Sequence, residues 1–469
     1  MYFIIAAWGN PKNWEFAEYE WRSKSIRTRS STSALFSGLE DNAQVLIICG
    51  LSLMTELSGL PEEVAGKTYK SISSDISSNI KGWVTWGRDN MEKDDLSERM
   101  FDSARIAVAP NKGTFAKDGA ALLTLDIATD IFGSYVFFQI VKFLEENDNP
   151  SQGDVDVYLD LTHGINYMST ITYDMSILAS AFYSSLTGKK VHVEVLNSDP
   201  FQHAVKGQES APKLNINHIG SLDFDRKLGI DHIIFTINTN LQKFKASEKN
   251  LGDDELLKLI IALKYSTENG FITLLDAMTD KIETLYQQLK NDMVEKLDNT
   301  IGGWVLALEN NRLSISPQVK LTTGIEWLAA YSLVRFISEV IRPSDGWRTF
   351  SEVRSITDGY IRNAATKAII RSEISNISGK LSEKYRELDF PIKASEVLGK
   401  KEGDIEVRNL TAHGGLERNI TMLRVKNTAE IPTTCSNTQL NKFFKEKTEA
   451  KCNVNLNEIL EKINGAEGS

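Results

Sequence analysis

Cysteine is scarce in this chain. Its three cysteines, Cys49, Cys435 and Cys452, are too widely spaced for a disulfide framework or a zinc site. Such usage is typical of a reducing compartment, so we expect a cytoplasmic protein. No apolar run reaches the about 18 residues that a membrane-spanning helix needs. The apolar segment Met1–Trp8 also lacks the basic region and cleavage site of a signal peptide, so we expect neither a membrane span nor a leader.

An excess of positive charge is also missing. Lys and Arg number 53 against 63 Asp and Glu, which gives a net charge of −10 at pH 7. Proteins that coat nucleic acid without specificity are basic overall, so this class is excluded, although a small basic cleft is not. The G-x-G-x-x-G and Walker A sequences are both absent. A common dinucleotide or ATP site is therefore not expected.

The first two hundred residues alternate short apolar segments with helical patterns. Nearly continuous apolar runs are typical of strands that are buried on both faces of a parallel sheet. We predict strands at Tyr2–Trp8, Val45–Cys49, Arg105–Ala109, Val155–Leu161 and Val191–Leu196, with helices at Asp130–Leu144 and Ile165–Leu186. This βαβ order predicts an α/β Rossmann-like domain over residues 1–205.

Beyond about Leu251 the strand pattern disappears and apolar residues follow helical spacing. This spacing is found in Leu256–Leu263, Ile282–Leu297, Leu321–Ile341 and Arg354–Leu388. It predicts an all-α domain over residues 251–469. The segment Phe201–Lys227 mixes polar residues, Pro and Gly with a short strand-like stretch, Leu214–Ile219. Residues 206–250 are predicted to connect the two domains.

Loops that follow the predicted strands are candidate binding segments, because doubly wound sheets bind ligands beyond the carboxyl ends of their strands. The segments are Gly9–Pro11, Arg27–Ser33, Pro110–Thr114 and Asp160–Tyr167. Small and hydroxyl residues leave backbone N–H groups free, and the helix that follows Gly164 adds the positive end of its dipole, which suits a phosphate. In the alternative, Thr162 and Gly164 only cap that helix and His163 is a hydrogen-bonded loop histidine.

A guanidinium, an amide and an imidazole lie within six residues in Arg408-Asn409-Leu410-Thr411-Ala412-His413. Arg offers a rigid set of donors to a phosphate, and His moves a proton near neutral pH. Five residues on an ideal helix separate two side chains by about 140°. Both reach one phosphate if the helix starts or breaks near Gly414-Gly415, or if a second protomer supplies a second copy. The alternative is a surface Arg and a histidine at a helix end.

These two segments in this order resemble one family. Asp160-Leu161-Thr162-His163-Gly164 at a strand end, followed by Arg408-Asn409-x3-His413 in a helical half, is similar to the accessory ribonucleases of type III CRISPR systems. In that family a CARF sensor domain is fused to a HEPN effector domain, and the resemblance covers almost the whole chain. It implies a cyclic oligoadenylate activator, expected to be cyclic tetra-adenylate, bound across a CARF dimer. It also implies a metal-independent endoribonuclease site for single-stranded RNA, shared by two HEPN domains.

Site residues follow from the resemblance one by one. It implies that Arg408 and His413 are catalytic and that Asn409 supports them. It implies that the activator pocket is lined by Gly9, Asn10, Ser33, Thr162, His163, Gly164 and Asn166. We expect a homodimer or a higher homo-oligomer, with no metal and no cofactor besides the activator. Attack by the RNA 2′-hydroxyl would then leave a 2′,3′-cyclic phosphate.

A second class of function is a nucleotide-sensing regulator whose helical domain binds nucleic acid without cutting it. Such a domain needs a basic recognition helix, whereas the segment Lys442–Lys447 mixes both charges. A third is a scaffold in which Arg408 and His413 have no chemical role. We rank the ribonuclease first because the two motifs occur together.

Overall fold

The computed structural model describes two compact units. The described residues are 1–57, 65–87, 92–117, 120–164, 167–201, 211–244, 254–309, 312–315, 321, 323–344, 346–384, 388, 390–400, 403, 406–425, 436–453 and 455–467. One unit comprises residues 1–229 and 289–328, and the other comprises residues 230–288 and 329–469. The chain passes between them within the helices Arg226–Thr239, Thr279–Lys290 and Ile325–Phe336.

The first unit contains two sheets. Its strands are β1 Tyr2–Trp8, β2 Ala17–Trp21, β3 Lys24–Thr28, β4 Ala43–Gly50, β5 Ala104–Ala109, β6 Gly113–Lys117, β7 Ala120–Leu125, β8 Val155–Asp160, β9 Val191–Ser198, β10 Lys213–Phe224, β11 Ala307–Glu309 and β12 Arg312–Ile315. The large sheet has the order β3-β2-β10-β9-β8-β1-β4-β5, and the small sheet has the order β11-β12-β7-β6. The run β9-β8-β1-β4-β5 is parallel throughout.

The five predicted strands are all present in this parallel run. Residues 3–7 of β1 are fully buried, as their uninterrupted apolar sequence requires. Helices of this unit span Ser31–Gly38, Tyr69–Trp86, Asp95–Met100, Thr129–Glu146, Tyr167–Thr187 and Lys296–Gly302. Chain order runs outward from β1 in both directions, through β4 to β5 and through β8 to β9. The loops after β1 and β8 therefore meet where the strand order reverses, the usual ligand site of such sheets.

Residues 213–224, predicted as part of a connector, instead form β10 inside the large sheet. This strand is antiparallel to β9 and parallel to β2. Only Leu214, Ile216 and Phe224 of its apolar side chains are buried, and most of the other positions are exposed. The strand-like character of Leu214–Ile219 is confirmed, and pairing with β9 and β2 extends the strand and makes it part of the large sheet.

Residues 289–328, predicted as part of the helical domain, pack with the first unit. β12 pairs in parallel with β7. The backbone N–H of Leu306 donates to Lys67 at 3.1 Å, and its carbonyl accepts from Gly66 at 2.9 Å. Leu306 and Leu313 are 1% and 2% exposed and belong to the same apolar core as β1 and β4. These pairings join segments far apart in the chain, so helical spacing along the sequence does not reveal them.

The second unit is mainly helical. Its helices include Asp254–Glu268, Ile272–Ala277, Phe350–Tyr360, Ala364–Lys384, Ala394–Val397, Val407–Ala412, Asn437–Lys447 and Leu456–Glu467. The all-α prediction is wrong here, because β13 Arg348–Thr349, β14 Ile392–Lys393, β15 Thr421–Val425 and β16 Thr448–Cys452 form an antiparallel sheet in the order β13-β16-β15-β14. These strands are too short to carry a clear alternating signal. Among the described helices of the chain, none is long and apolar enough to cross a membrane.

Candidate functional site

A buried carboxylate, Asp160, fixes the loop that follows β8. Asp160 is 1% exposed. Its Oδ2 accepts hydrogen bonds from the hydroxyls of Ser31 and Thr32, both at 2.7 Å, and its Oδ1 accepts from the backbone N–H of Thr162 at 3.1 Å. A buried carboxylate is stable only with such partners. Asp160 therefore ties this loop to the first turn of the helix Ser31–Gly38, a role that the sequence analysis missed.

His163 is held in the same loop by three contacts. Its Nε2 accepts the backbone N–H of Ser31 at 3.1 Å, and its ring stacks on Trp14 with centroids 3.8 Å apart. Its backbone carbonyl accepts from the N–H of Gly9 at 2.7 Å. Burial lowers the pKa of His163 to about 4. The ring is therefore neutral at pH 7, and its proton lies on Nδ1 because Nε2 is an acceptor.

Gly164 is required by close packing. A Cβ at this position would lie 1.8 Å from Ser169 Oγ and 3.4 Å from Ala7 Cβ. Asn10 has a local role, since its Oδ1 accepts the N–H of Lys12 at 3.1 Å and its Nδ2 donates to Glu56 Oε1 at 2.9 Å. Both residues therefore shape the ends of β1 and β8, where the sequence placed the pocket.

A cavity of about 540 Å³ opens beside this loop. It is lined by Asn13, Trp14, Glu15, Tyr19, Arg29, Thr162, His163, Asn197, Ser198, Asp199, Pro200, Phe201 and Leu214. Of the predicted pocket residues, Thr162 and His163 line it. Residues 197–199 end β9 or follow it directly, so the rule about the carboxyl ends of strands could have identified them.

The other five predicted pocket residues are not in this lining: Gly9, Asn10 and Gly164 lie at the strand ends beside it, Ser33 is placed elsewhere, and Asn166 is not among the described residues. Ser33 is fully buried, and its hydroxyl lies 2.9 Å from Ser97 Oγ. Thr162 lines the cavity as predicted. Its Oγ1 accepts a hydrogen bond from the backbone N–H of Ser198 at 2.9 Å, which joins the ends of β8 and β9.

The second predicted site lies in the mainly helical unit, at the end of the helix Val407–Ala412. His413 leaves the helical conformation, although its N–H still donates to the carbonyl of Asn409 at 3.0 Å. Gly414 and Gly415 follow with φ of 56° and 74°, a region that favours glycine. The helix thus ends at this glycine pair, one of the two arrangements considered for the motif.

His413 faces a carboxylate from another helix. Its Nδ1 lies 3.2 Å from Glu373 Oε1, and Glu373 belongs to the helix Ala364–Lys384. The two side chains are 30% and 15% exposed, respectively. A carboxylate that accepts from Nδ1 fixes the ring and leaves Nε2 for proton transfer. Glu373 lies 40 positions before His413, so no sequence motif pointed to it.

Arg408 points to solvent. Its side chain is 82% exposed and pairs with the neighbouring carboxylate of Glu406. Asn409 is half-buried, and its N–H donates to the carbonyl of Glu406 at 2.9 Å. Within the described part of the chain, no hydrogen bond or ion pair joins Arg408 to His413. One chain thus presents an imidazole held by a carboxylate and a separate, accessible guanidinium.

A metal site has no counterpart in the residues described here. No group of three or more His, Cys, Asp or Glu among them is arranged to hold a metal ion.

Comparison with known proteins places both sites in family domains. One family model, the CARF domain of CRISPR system endoribonuclease Csx1, matches residues 3–200, and the HEPN domain of the same endoribonuclease matches residues 363–433. Together they cover more than half of the chain. The CRISPR system endoribonuclease Csx1 of Methanocaldococcus jannaschii is 23% identical over 490 aligned positions, which cover 98% of this chain and 92% of that protein. The chain therefore belongs to the CRISPR-associated CARF–HEPN ribonuclease family.

Proposed function

We propose that this chain is an endoribonuclease of type III CRISPR antiviral defence, which cuts single-stranded RNA when a cyclic oligoadenylate occupies its CARF domain. The observation that carries the proposal is the pair His413 and Glu373, 3.2 Å apart inside the segment that matches the HEPN domain. Arg408 supports it, because an exposed guanidinium on the same short helix suits a phosphodiester.

The reaction needs little beyond these side chains, because RNA carries its own nucleophile. His413 Nε2 removes the proton of the 2′-hydroxyl, whose oxygen attacks the adjacent phosphorus. The bond from phosphorus to the 5′-oxygen breaks, and that oxygen takes up a proton. The products are a 2′,3′-cyclic phosphate and a 5′-hydroxyl. Arg408 stabilises the negative charge of the five-coordinate phosphorus, with Asn409 in support. No step requires a metal ion.

A second copy of the chain completes the proposed site. Two proton transfers are needed, and a two-fold axis would bring two copies of Arg408 and His413 to one cleft. The exposure of Arg408 leaves it accessible for that arrangement. We therefore propose a homodimer as the active form.

The CARF domain is the proposed sensor, with cyclic tetra-adenylate as its expected ligand. Thr162 and His163 line the cavity of about 540 Å³, and Trp14 adds an aromatic ring there. Gly9, Asn10 and Gly164 shape the strand ends, and Asn166 remains a proposed contact. Ser33 is not proposed as a contact, because it is fully buried. Bound activator would shift the dimer to its cutting state, and a shift from 1:99 to 99:1 takes about 5.5 kcal/mol of differential affinity.

Incubation of the purified chain with labelled single-stranded RNA tests this function. Cyclic oligoadenylates of each ring size are added separately, in buffer with EDTA. We expect cleavage with one of them, cyclic phosphate ends, and no cleavage of RNA whose 2′-hydroxyls are blocked. Complete inhibition by EDTA, or cutting of the blocked RNA, would refute the mechanism.

A further inference from the structure

A groove of about 470 Å³ lies on the mainly helical unit, away from the residues assigned above. It is formed by the helices Phe350–Tyr360, Ala364–Lys384 and Asn437–Lys447. Its lining residues are Phe350, Ser351, Arg354, Arg371, Ile374, Ser375, Lys442, Lys445 and Glu446. Phe350 and Ile374 are buried and form an apolar floor, while the charged side chains stand at the rim.

Positive charge exceeds negative charge in this groove. Arg354 and Arg371 share one carboxylate, Asp358, at 3.6 and 2.7 Å. Neither Lys442 nor Lys445 forms an ion pair with any residue that the structure describes. Among the lining residues that the structure describes, Glu446 is the only acidic one. This local excess is notable in a chain whose net charge is −10.

The groove and the candidate active site share one helix. Arg371 and Ser375 line the groove, while Glu373 between them contacts His413. On an ideal helix, residues two apart project about 200° apart, so the two sites lie on opposite sides of the helix at the same level. The helix is about 10–12 Å across, so an extended polynucleotide has only a short distance to span between the two sites.

We propose that this groove binds the phosphate backbone of the RNA substrate beyond the nucleotides that are cut. The proposal rests on the proposed ribonuclease function. Lysine ammonium groups without protein partners suit phosphates, and arginine keeps further N–H donors after one ion pair. Hydroxyls of Ser351 and Ser375 add donors for phosphate or ribose oxygens. An acidic peptide would use the same charges, but the shared helix with His413 favours RNA.

Charge reversal of the two unpaired lysines tests the groove. In the Lys442→Glu, Lys445→Glu double variant, KM for a long single-stranded RNA should rise about tenfold, as expected for two exposed ion pairs. The slope of log KM against log salt should become shallower by about 1.4, because two phosphate contacts are lost. The kcat, the half-saturating activator concentration and the KM of a short RNA that reaches only the cleavage site should stay at wild-type values.

A matched control separates this site from general charge effects. Lys290 is the counterpart of Lys445, because each lies at or near the end of its helix. Lys243 is the counterpart of Lys442, because both are exposed. The Lys243→Glu, Lys290→Glu variant has the same net charge and should keep wild-type KM. The single Lys442→Gln variant, which only removes an exposed charge, should show a smaller rise in KM.

Four outcomes would decide between these possibilities. Equal KM for long RNA in the wild type and the groove variant would overturn the groove and leave the proposed function intact. An equal rise in KM for the control variant, or an acidic peptide that competes for the lysines while RNA does not, would also overturn it. Wild-type protein that binds labelled RNA through these lysines, but never cuts it, would support the groove and refute the proposed function.

Discussion

Glu373→Gln is the substitution that most directly tests how the active site works. We propose Glu373 as a positioning residue, which acts on RNA only through His413. Glutamine has the same shape, and its Oε1 still accepts the Nδ1–H of His413, so the ring keeps its orientation. The variant removes only the negative charge that lies 3.2 Å from the imidazole. That charge stabilises the imidazolium formed when His413 takes the proton of the 2′-hydroxyl.

The size of the effect follows from the geometry. Coulomb's law at 3.2 Å gives about 5 kcal/mol at an effective dielectric constant of about 20, and about 1 kcal/mol in water. The His413 side chain is 30% exposed, so solvent screens part of this interaction. After screening, the carboxylate stabilises the imidazolium by about 1.5–3 kcal/mol. Its loss corresponds to a fall in kcat of about 10- to 100-fold. KM should change much less, because Glu373 does not touch the substrate.

Single-turnover cleavage at saturating activator, measured over a range of RNA concentrations, gives the result. A lower kcat with a KM near the wild-type value would separate positioning of the imidazole from binding of the RNA. Glu373→Asp keeps the charge and should recover part of the rate. Glu383→Gln, on the same helix but paired with Lys380, should cleave at the wild-type rate. A Glu373→Gln enzyme with wild-type kcat would refute the positioning role.

Four further predictions concern the two sites. His413→Ala should abolish cleavage, a loss of at least about 10²-fold, while calorimetry shows unchanged activator binding. His163→Ala should raise the half-saturating activator concentration and change the maximal rate much less; a lower maximal rate with unchanged binding would contradict its sensor role. Gly164→Ala should weaken activator binding and lower the melting temperature, because its Cβ would lie 2.9 Å from Ser169 Cβ, which rotation of the serine hydroxyl does not relieve. Burial lowers the pKa of His163 from its ordinary value of 6.5 to about 4, so the unfolded chain takes up a proton that the folded chain does not. The free energy of unfolding should therefore fall as the pH drops from 6.5 to 4, and a His163→Gln variant in urea titrations should lose this part of the dependence.

Local pattern was enough to predict several features of the chain. The apolar runs of β1 and β4 predicted buried parallel strands, because a strand covered on both faces tolerates few polar residues. A helix break near Gly414-Gly415 was one of two arrangements that the sequence offered for Arg408 and His413, since glycine adopts positive φ without strain. The proximity of Arg408 to His413 is a property of the sequence itself. The strand-end rule also led to the loop Thr162–Gly164 before its surroundings were known.

Other features depend on surfaces that meet only in the folded chain. The hydroxyls of Ser31 and Thr32 reach Asp160 from about 130 positions away, and residues 289–328 return to the first unit through β12 and Leu306. β10 belongs to the large sheet, and not to a connector, because it pairs with β9 and β2. Glu373 contacts His413, and Lys442 lines the groove beside Arg371. Both arrangements arise because segments far apart in the sequence pack together. Hydrophobic periodicity specifies which face of an element is buried, but not which partner buries it, so these contacts were decided by tertiary packing alone.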